Sequence, residues 1–332
     1  MHMADALLSP EVGGTMIAVS AAAVGYAVKK ISKDGLDEKK IPLMGVMGAF
    51  VFAGQMINFT IPGTGSSGHI GGGVLLAALL GPYPALIALA SVLLIQCLFF
   101  ADGGLLAYGC NVFNMGVCTC LLAYLWIYKP IARRGVDTKN VFFASVAAVV
   151  LGLQLGAFCV VLETYLSGVA ELPFKAFLFL MQPIHLAIGL VEGIVTSAVL
   201  CFVYSARPEL LVSTVQETKL TKGLSTKKVA AALLVLTALV GGGLSLFASA
   251  YPDGLEWSME GVAGTAELER DGPVHKTMGG MVGVTAFMPD YSFAGDEEGS
   301  SVGTATAGIV GSVITLALTG GLGFAVGALR RK

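Results

Sequence analysis

Two histidines have the positions to bind a transition-metal ion. His2 is the second residue, so the Met1 amine, the His2 backbone nitrogen and the His2 imidazole can close two small chelate rings around one ion. Three nitrogens arranged in this way lie roughly in a plane and leave one in-plane position, which suits Ni²⁺, Cu²⁺ or Co²⁺. The chain has four histidines, and His69, in a glycine-rich segment, is the candidate fourth ligand.

Each of these histidines also has a simpler interpretation. His2 alone is a chance residue at a frayed terminus, and His69 is a buried imidazole that bonds a backbone carbonyl. No basic segment precedes an apolar stretch at the start of the chain, so we expect no cleaved leader and a functional amino terminus. Pro10 and the pair Gly13 and Gly14 allow the residues before them to fold back.

The composition indicates a membrane protein. Of the 332 residues, 55% are hydrophobic and 13% are charged, against about 25% charged residues in soluble domains. The mean hydropathy is +0.80, and apolar runs of membrane-helix length recur along the chain. The predicted fold class is therefore all-α, a polytopic transmembrane helical bundle.

The apolar runs divide the chain into three parts. Residues 1–205 form a seven-helix metal-binding domain, 206–228 a basic cytoplasmic linker, and 229–332 a two-helix accessory domain. The predicted helices span 12–29, 41–60, 70–80, 84–101, 104–128, 141–162, 183–205, 229–249 and 305–328. The segment between the last two is acidic, and we expect it to be a solvated outer loop.

The basic residues predict the orientation. All but three of the 20 lysines and arginines lie in the first loop, the second loop, the linker and the carboxyl end. Cytoplasmic loops collect such residues, which puts the amino terminus outside and the carboxyl terminus in the cytoplasm. Two cytoplasmic loops must be separated by an even number of membrane crossings. Between the first and second loops, this holds only if the short stretch 70–80 is itself a crossing. The segment 61–69 must therefore dip into the membrane from outside, where protein surrounds it, and it carries His69.

Further polar residues in apolar helices are candidates for supporting roles. His185 and Glu192 share one helix face and are predicted to support the site or gate the path, because ionisable groups in membrane helices are expected to be functional. Structural hydrogen bonding is the alternative for both. A set of amides and one hydroxyl is predicted to fix the histidine rings, with interhelical bonding as the alternative: Gln55, Asn58, Ser67, Asn111 and Asn114. His275 is assigned no role.

Other motifs exclude some functions. The chain has neither G-x-x-x-x-G-K-[ST] nor H-E-x-x-H, so it has no P-loop and no zinc-protease helix. Small residues at Ala18, Ala22 and Gly25 on the first helix allow a partner helix to approach closely.

Several motifs resemble one family. They are the opening Met-His-Met-Ala-Asp of residues 1–5, Gly-Thr-Gly-Ser-Ser-Gly-His at 63–69, Asp-Gly-Gly at 102–104, and the stretch from His185 to Gly193. Together they resemble the metal-binding membrane component (CbiM/NikM) of cobalt and nickel energy-coupling-factor importers. The remainder of the chain, including Pro252–Trp257 and the two final helices, is similar to the small accessory subunit (CbiN/NikN) that some members carry fused.

The resemblance implies an ion bound by Met1, His2 and His69, and no catalysis by this chain. It also implies a transmembrane coupling subunit and cytoplasmic ATPases as partners. Asp5-Ala6-Leu7 stands where many relatives have an acidic residue, glycine and an aromatic, which leaves the preferred metal open. The alternative function is a self-sufficient, proton-coupled secondary transporter or channel that uses His185 and Glu192.

Overall fold

The computed structural model describes residues 1–35, 37–220, 226–266, 268–293, 295 and 300–329. The amino-terminal part consists, in chain order, of α1 (Pro10–Asp34), α2 (Lys40–Gln55), β1 (Phe59–Ile61), β2 (Ser66–Gly68), α3 (Gly73–Leu80), α4 (Pro82–Phe100), α5 (Tyr108–Ala132), α6 (Thr138–Ser167) and α7 (Phe174–Ala206). The rest consists of α8 (Pro208–Val215), α9 (Lys227–Gly242), α10 (Gly254–Ala263), α11 (Pro273–Thr285) and α12 (Ser301–Leu329).

The predicted fold class is confirmed. Seven helices of the described chain are long and apolar enough to cross a membrane, and these are α1, α4, α5, α6, α7, α9 and α12. The shorter α2 and α3 bring the amino-terminal part to the seven predicted helices. The protein is therefore a multi-pass helical membrane protein.

Two helix boundaries differ from the prediction for identifiable reasons. α7 begins at Phe174 rather than at 183, and Pro183 lies inside it. Proline favours the first turn of a helix, but membrane helices tolerate it internally. α5 begins at Tyr108 rather than at 104 and continues to Ala132, because the glycines of the 101–107 segment form a loop that contacts the amino terminus.

The acidic segment after α9 is helical rather than an irregular loop, and most residues of Pro273–Thr285 are exposed, as its composition predicts. It contains α10 and α11, and α10 packs against α7 while α11 packs against α4. Asp253 caps α10 by accepting hydrogen bonds from the backbone N–H groups of Leu255 and Glu256. The predicted linker is also partly structured, since Leu210 and Leu211 of α8 are fully buried; residues 221–225 of it lie outside the described chain.

The carboxyl-terminal helices lie along α2. Gly45 and Gly48 of α2 face α12 so closely that a Cβ on Gly48 would lie 2.8 Å from Thr319 Oγ1. Gly241 of α9 and Gly308 of α12 approach through their backbones in the same way. Small residues at such contacts let helix backbones pack tightly in a membrane.

The residues next to His69 are buried, from Ser66 to Gly68. β1 and β2 form a short antiparallel hairpin, and all eight residues of α3 are buried. Gly72 has a φ of +76° and lies against Val51, so a side chain there would be strained and would clash. Non-helical backbone is tolerated at membrane depth under this condition.

Candidate metal centre

The first nine residues fold back into the bundle rather than fraying. The backbone N–H of Met3 donates to Asn111 Oδ1 at 2.7 Å, and Asn111 Nδ2 donates to the Met3 carbonyl at 3.1 Å. Asp5 Oδ1 accepts the Ala107 N–H at 2.8 Å. The side chains of Met3, Leu7 and Leu8 are fully buried. The amino terminus is thus held in a fixed position inside the protein.

Two glycines of the 101–107 loop leave room for the amino-terminal segment to fold back. Gly103 has a φ of +73°, which favours glycine. A Cβ on Gly104 would lie 1.6 Å from Asp5 Oδ1, so any side chain there would displace the amino-terminal segment. The two glycines at 103 and 104 are therefore required by the close approach of two backbones.

The nitrogens of the predicted site meet. The Met1 amine lies 3.3 Å from His69 Nε2, and the rings of His2 and His69 stack with centroids 5.1 Å apart and 18° between planes. His69 Nδ1 donates to the Ile70 carbonyl at 3.1 Å. This contact puts the ring proton on Nδ1 and leaves the Nε2 lone pair directed towards Met1.

Glu192 anchors the loop that carries His69. Its two carboxylate oxygens accept the backbone N–H groups of Gly71 at 2.9 Å and Gly72 at 2.8 Å. From the other side, Gln55 donates to the Gly71 carbonyl at 3.0 Å and accepts a hydrogen bond from Gln96 at 2.8 Å. Two helices therefore fix the backbone two to three residues after the imidazole.

Two carboxylates contact the same nitrogens. Asp253 Oδ2 forms an ion pair with the Met1 ammonium, and Asp102 Oδ1 lies 3.4 Å from His2 Nδ1. Burial alone would raise the pKa of Asp253, but the Met1 ammonium holds that pKa below its usual value. Burial lowers the pKa of His2 and of His69, which favours the neutral imidazole that metal binding requires.

A polar cavity of about 250 Å³ leads to these groups from the end of the bundle that carries the amino terminus. The carboxyl-bearing residues that line it are Asp102, Asp253, Glu256 and Asp290. Asp253, followed by burial, raises the pKa of Glu256. In the described part of the chain, no three His, Cys, Asp or Glu side chains are grouped as a metal site.

The predicted supporting residues take other partners. Asn111 bonds the Met3 backbone, and Asn114 Nδ2 donates to Glu163 at 2.7 Å and contacts Met3 Sδ at 3.7 Å. The Ile70 carbonyl accepts the His69 ring proton, and a supporting role for these two amides stays a prediction. Their bonds fix the backbone one residue after His2.

Ser67 and Asn58 also contact the carboxyl-terminal part. Ser67 Oγ donates to the Tyr251 carbonyl at 2.8 Å, and its N–H donates to the Pro252 carbonyl at 2.8 Å. The Asn58 carbonyl accepts the Ser249 N–H at 2.7 Å, and the residue lines the outer cavity. Neither side chain bonds a histidine ring through a contact seen here. Both residues attach the 249–253 segment to the hairpin.

Two residues of the site were not foreseen from the sequence. Asp253 was counted only as part of an acidic loop, and His275 was assigned no role. His275 is buried, and its Nε2 donates to the Leu8 carbonyl at 2.9 Å. The available signal was that a histidine and a Pro-Asp-Gly capping sequence are unusual in a segment that only has to be soluble.

The site can be compared with known proteins. A family model described as the cobalt uptake substrate-specific transmembrane region, CbiM, matches residues 2–210, and a PDGLE domain matches residues 227–328. The chain belongs to the CbiM family. It is 34% identical over 321 residues to a putative fused nickel transport protein NikMN of Archaeoglobus fulgidus, covering 96% of both chains.

Other relatives and solved structures agree with this membership. A fused nickel transport protein NikMN of Rhodobacter capsulatus is 31% identical over 226 residues, which are 64% of each chain. A crystal structure of a truncated transition metal transporter is similar with a TM-score of 0.55 and 30% identity, covering 62% of this chain and 99% of that one. The resemblance read from the sequence is confirmed, and these relatives carry transport names rather than enzyme names.

Proposed function

We propose that this CbiM-family protein captures Ni²⁺ or Co²⁺ as the membrane component of an importer. The ion is bound by the Met1 amine, the His2 backbone nitrogen and imidazole Nδ1, and His69 Nε2. The observation that carries this proposal is the 3.3 Å approach of the buried amino terminus to His69 Nε2, beside the stacked His2 ring. The carbonyl contact of His69 Nδ1 supports it, because ligand imidazoles usually donate their other N–H in this way.

The donor set explains the choice among ions. Four nitrogens in a plane disfavour Zn²⁺, which prefers a tetrahedron, and an all-nitrogen set disfavours Mg²⁺ and Ca²⁺, which prefer oxygen. Cu²⁺ binds nitrogen at least as strongly as Ni²⁺, so its exclusion depends on availability or on the rigidity of the site.

Binding must break the two carboxylate contacts. The Met1 amine can bind an ion only after it leaves Asp253 and loses its proton, and His2 Nδ1 must turn from Asp102. The two carboxylates therefore hold the ligands together while the site is empty. Because Asp253 belongs to the carboxyl-terminal part, we propose that residues 229–332 act directly on the site.

The direction of transport follows from the two ends of the bundle. At the end opposite the site, Lys40 donates to Thr214 at 2.6 Å, Lys129 pairs with Glu217 at 2.6 Å, and Asp37 accepts the Leu220 N–H. The basic loops and the linker thus meet on one side, which we assign to the cytoplasm. On this assignment the ion enters from outside.

Transport by this mechanism requires partners. We propose a transmembrane coupling subunit and cytoplasmic ABC ATPases, since the chain has no P-loop of its own. Ala18, Ala22 and Gly25 are exposed along α1, and nothing lies within 4 Å of a Cβ on Gly25. We assign this face to the coupling subunit. The alternative of proton coupling through Glu192 has less support, because both carboxylate oxygens are engaged by the His69 loop.

The metal site is tested by Ni²⁺ binding to the purified chain. Acetylating the amino terminus, or adding one residue before Met1, should abolish tight binding with both histidines intact, and His69→Ala should weaken it to a comparable degree. Glu171→Gln, a substitution at an exposed residue, is the control for effects of expressing and purifying a variant. Retained affinity after acetylation would remove the terminal amine from the site. Uptake into liposomes driven by a pH gradient without ATPases would favour the secondary transporter.

A further inference from the structure

Two buried polar atoms beside the site have no hydrogen-bond partner in the described part of the chain. They are Nε2 of His2, whose side chain is 8% exposed, and Oε1 of Gln96 on α4, which is fully buried. Gln96 is also the amide within hydrogen-bonding reach of the His2 ring. Buried polar atoms are rarely left without a partner, so this pair requires an explanation.

The orientation of the Gln96 amide is fixed by a backbone group. The Gly71 carbonyl can only accept, so Gln55 turns its Nε2 towards that carbonyl, at 3.0 Å. Gln55 Oε1 then accepts from Gln96 Nε2 at 2.8 Å. Gln96 therefore directs its Oε1 away from Gln55 and presents an acceptor. The hydroxyl of Tyr291 also lies near Gln96, but it donates its proton to Asp102.

The position of the proton on the His2 ring explains why the two atoms are not bonded. Nδ1 faces Asp102 Oδ1 at 3.4 Å, so the ring proton is on Nδ1 and Nε2 is an acceptor. Two acceptors, Nε2 and Gln96 Oε1, cannot bond each other. A neutral ring that uses Nδ1 as a metal ligand carries its proton on Nε2 instead. Nε2 is then the donor that Gln96 Oε1 lacks.

We propose that Gln96 is a positioning residue for the metal ligand His2: its Oε1 accepts the Nε2–H of the ring when Nδ1 binds the ion. This inference rests on the proposed function, because it needs Nδ1 to be the ligand atom. The bond completes a chain from His2 through Gln96 and Gln55 to the Gly71 carbonyl. One connected set of amides then joins the His2 ring to the loop that carries His69. Because the bond forms only when the ion is bound, it adds to the Ni²⁺ affinity.

Three variants separate this bond from general packing. Gln96→Leu removes the acceptor. Gln96→Glu keeps an acceptor for Nε2–H and, in its neutral form, also a donor for Gln55. Gln154→Leu is the matched control, because it makes the same chemical change on α6. It also loses an interhelical hydrogen bond, from Nε2 to the Gln182 carbonyl at 2.8 Å, but Gln154 does not line the polar cavity of the site.

The test is a Ni²⁺ titration of each full chain, together with pulsed EPR of the Cu²⁺-loaded chain. Pulsed EPR detects the ring nitrogen of a ligand imidazole that does not bind the ion, and the quadrupole coupling of that nitrogen depends on the hydrogen bond of its N–H. We expect the wild type to give two such nitrogens with hydrogen bonds to protein, Nε2 of His2 and Nδ1 of His69.

Gln96→Leu should change only the His2 nitrogen, because His69 Nδ1 still bonds the Ile70 carbonyl. It should also weaken Ni²⁺ binding about 10- to 100-fold, the loss typical of residues that support metal ligands. Gln96→Glu and Gln154→Leu should keep the wild-type spectrum and stay within a few-fold of the wild-type affinity.

Several results would overturn the inference. Equal spectra and affinities for the wild type and Gln96→Leu would show that the His2 N–H has another acceptor. An equal loss in Gln96→Glu or in Gln154→Leu would reduce Gln96 to a structural role. If Gln96→Leu does not fold, the wild type decides: slow exchange of the His2 N–H with D₂O supports the bond, and exchange as fast as in free imidazole puts that proton on water. A wild-type chain that binds no Ni²⁺, or binds it equally well after acetylation, would instead reject the proposed function.

Discussion

The sharpest test of how the site is built is removal of the Glu192 carboxylate. Glu192 does not contact the predicted ligands, yet its oxygens accept the N–H groups of Gly71 and Gly72 in the loop that follows His69. The side chain is 1% exposed, so water cannot replace the lost acceptors. We therefore expect Glu192 substitutions to affect both stability and Ni²⁺ affinity.

The magnitude follows from the number of bonds lost. Each buried N–H left without an acceptor costs about 1–3 kcal/mol, so Glu192→Ala should lower the free energy of unfolding by roughly 2–6 kcal/mol, before the cost of the cavity is added. Glu192→Gln keeps one acceptor and turns an amide N–H towards the second glycine. We expect it to lose about 1–3 kcal/mol, which is on the order of ten-fold in affinity if the loss falls on the His69 loop.

The assay is isothermal titration of Ni²⁺ into the detergent-purified chain, combined with thermal unfolding with and without the ion. Glu171→Gln is the control, because it makes the same chemical change on an exposed side chain. Glu192→Gln should weaken binding and reduce the stabilisation that Ni²⁺ provides. Unchanged affinity and unchanged unfolding temperature would refute the idea that this carboxylate positions His69.

Three further predictions concern the amino terminus and its contacts. Asp253→Asn should tighten Ni²⁺ binding about ten-fold, because it removes the ion pair with Met1 and hydrogen bonds to charged groups contribute about 1.5–3 kcal/mol. Asn still caps α10. Weaker binding in a titration would instead make Asp253 a ligand. Gly104→Ala should abolish tight binding, because the alanine Cβ would occupy the position of Asp5. Gly279→Ala is the control and should bind as the wild type does, because nothing lies within 4 Å of a Cβ there. Equal binding by both variants would contradict the close approach of Gly104 to the amino-terminal segment. His275→Ala should weaken binding by a few-fold through the loss of one buried hydrogen bond of about 1 kcal/mol, and no change in the titration would limit His275 to packing.

The sequence predicts the approach of His2 and His69 for a physical reason. Grouped basic residues fix the side of each loop, and the short apolar stretch 70–80 can then be a crossing only if the preceding glycine-rich segment enters the membrane. The structure has a hairpin and a buried α3 at these positions, and the entry of this segment into the membrane stays a prediction. Patterns of charge and length suffice here because they are read over many residues.

The contacts between the two parts of the chain could not be predicted in this way. The residues of the Met1–Asp253 pair are 252 positions apart, and those of the His275–Leu8 bond are 267 apart. An acidic composition indicates a solvated segment, and nothing in the local pattern shows that one of its carboxylates faces a buried ammonium. The helix boundary at Pro183 was missed because the local preference of proline for a first turn is overridden by the surrounding bundle.

These contacts order the amino-terminal segment, which is what a terminal amine needs to serve as a ligand. A free terminus loses much of its conformational freedom when it is ordered, at about 1–2 kcal/mol per residue for the backbone alone. Here the bonds of Met3 to Asn111, Asp5 to Ala107 and Leu8 to His275 order that segment before an ion arrives. In the proposed mechanism, the ion then displaces the two carboxylates, one of which, Asp253, comes from the carboxyl-terminal part. Movement of that part would therefore change Ni²⁺ affinity without moving His69, which remains fixed by Glu192 and Gln55.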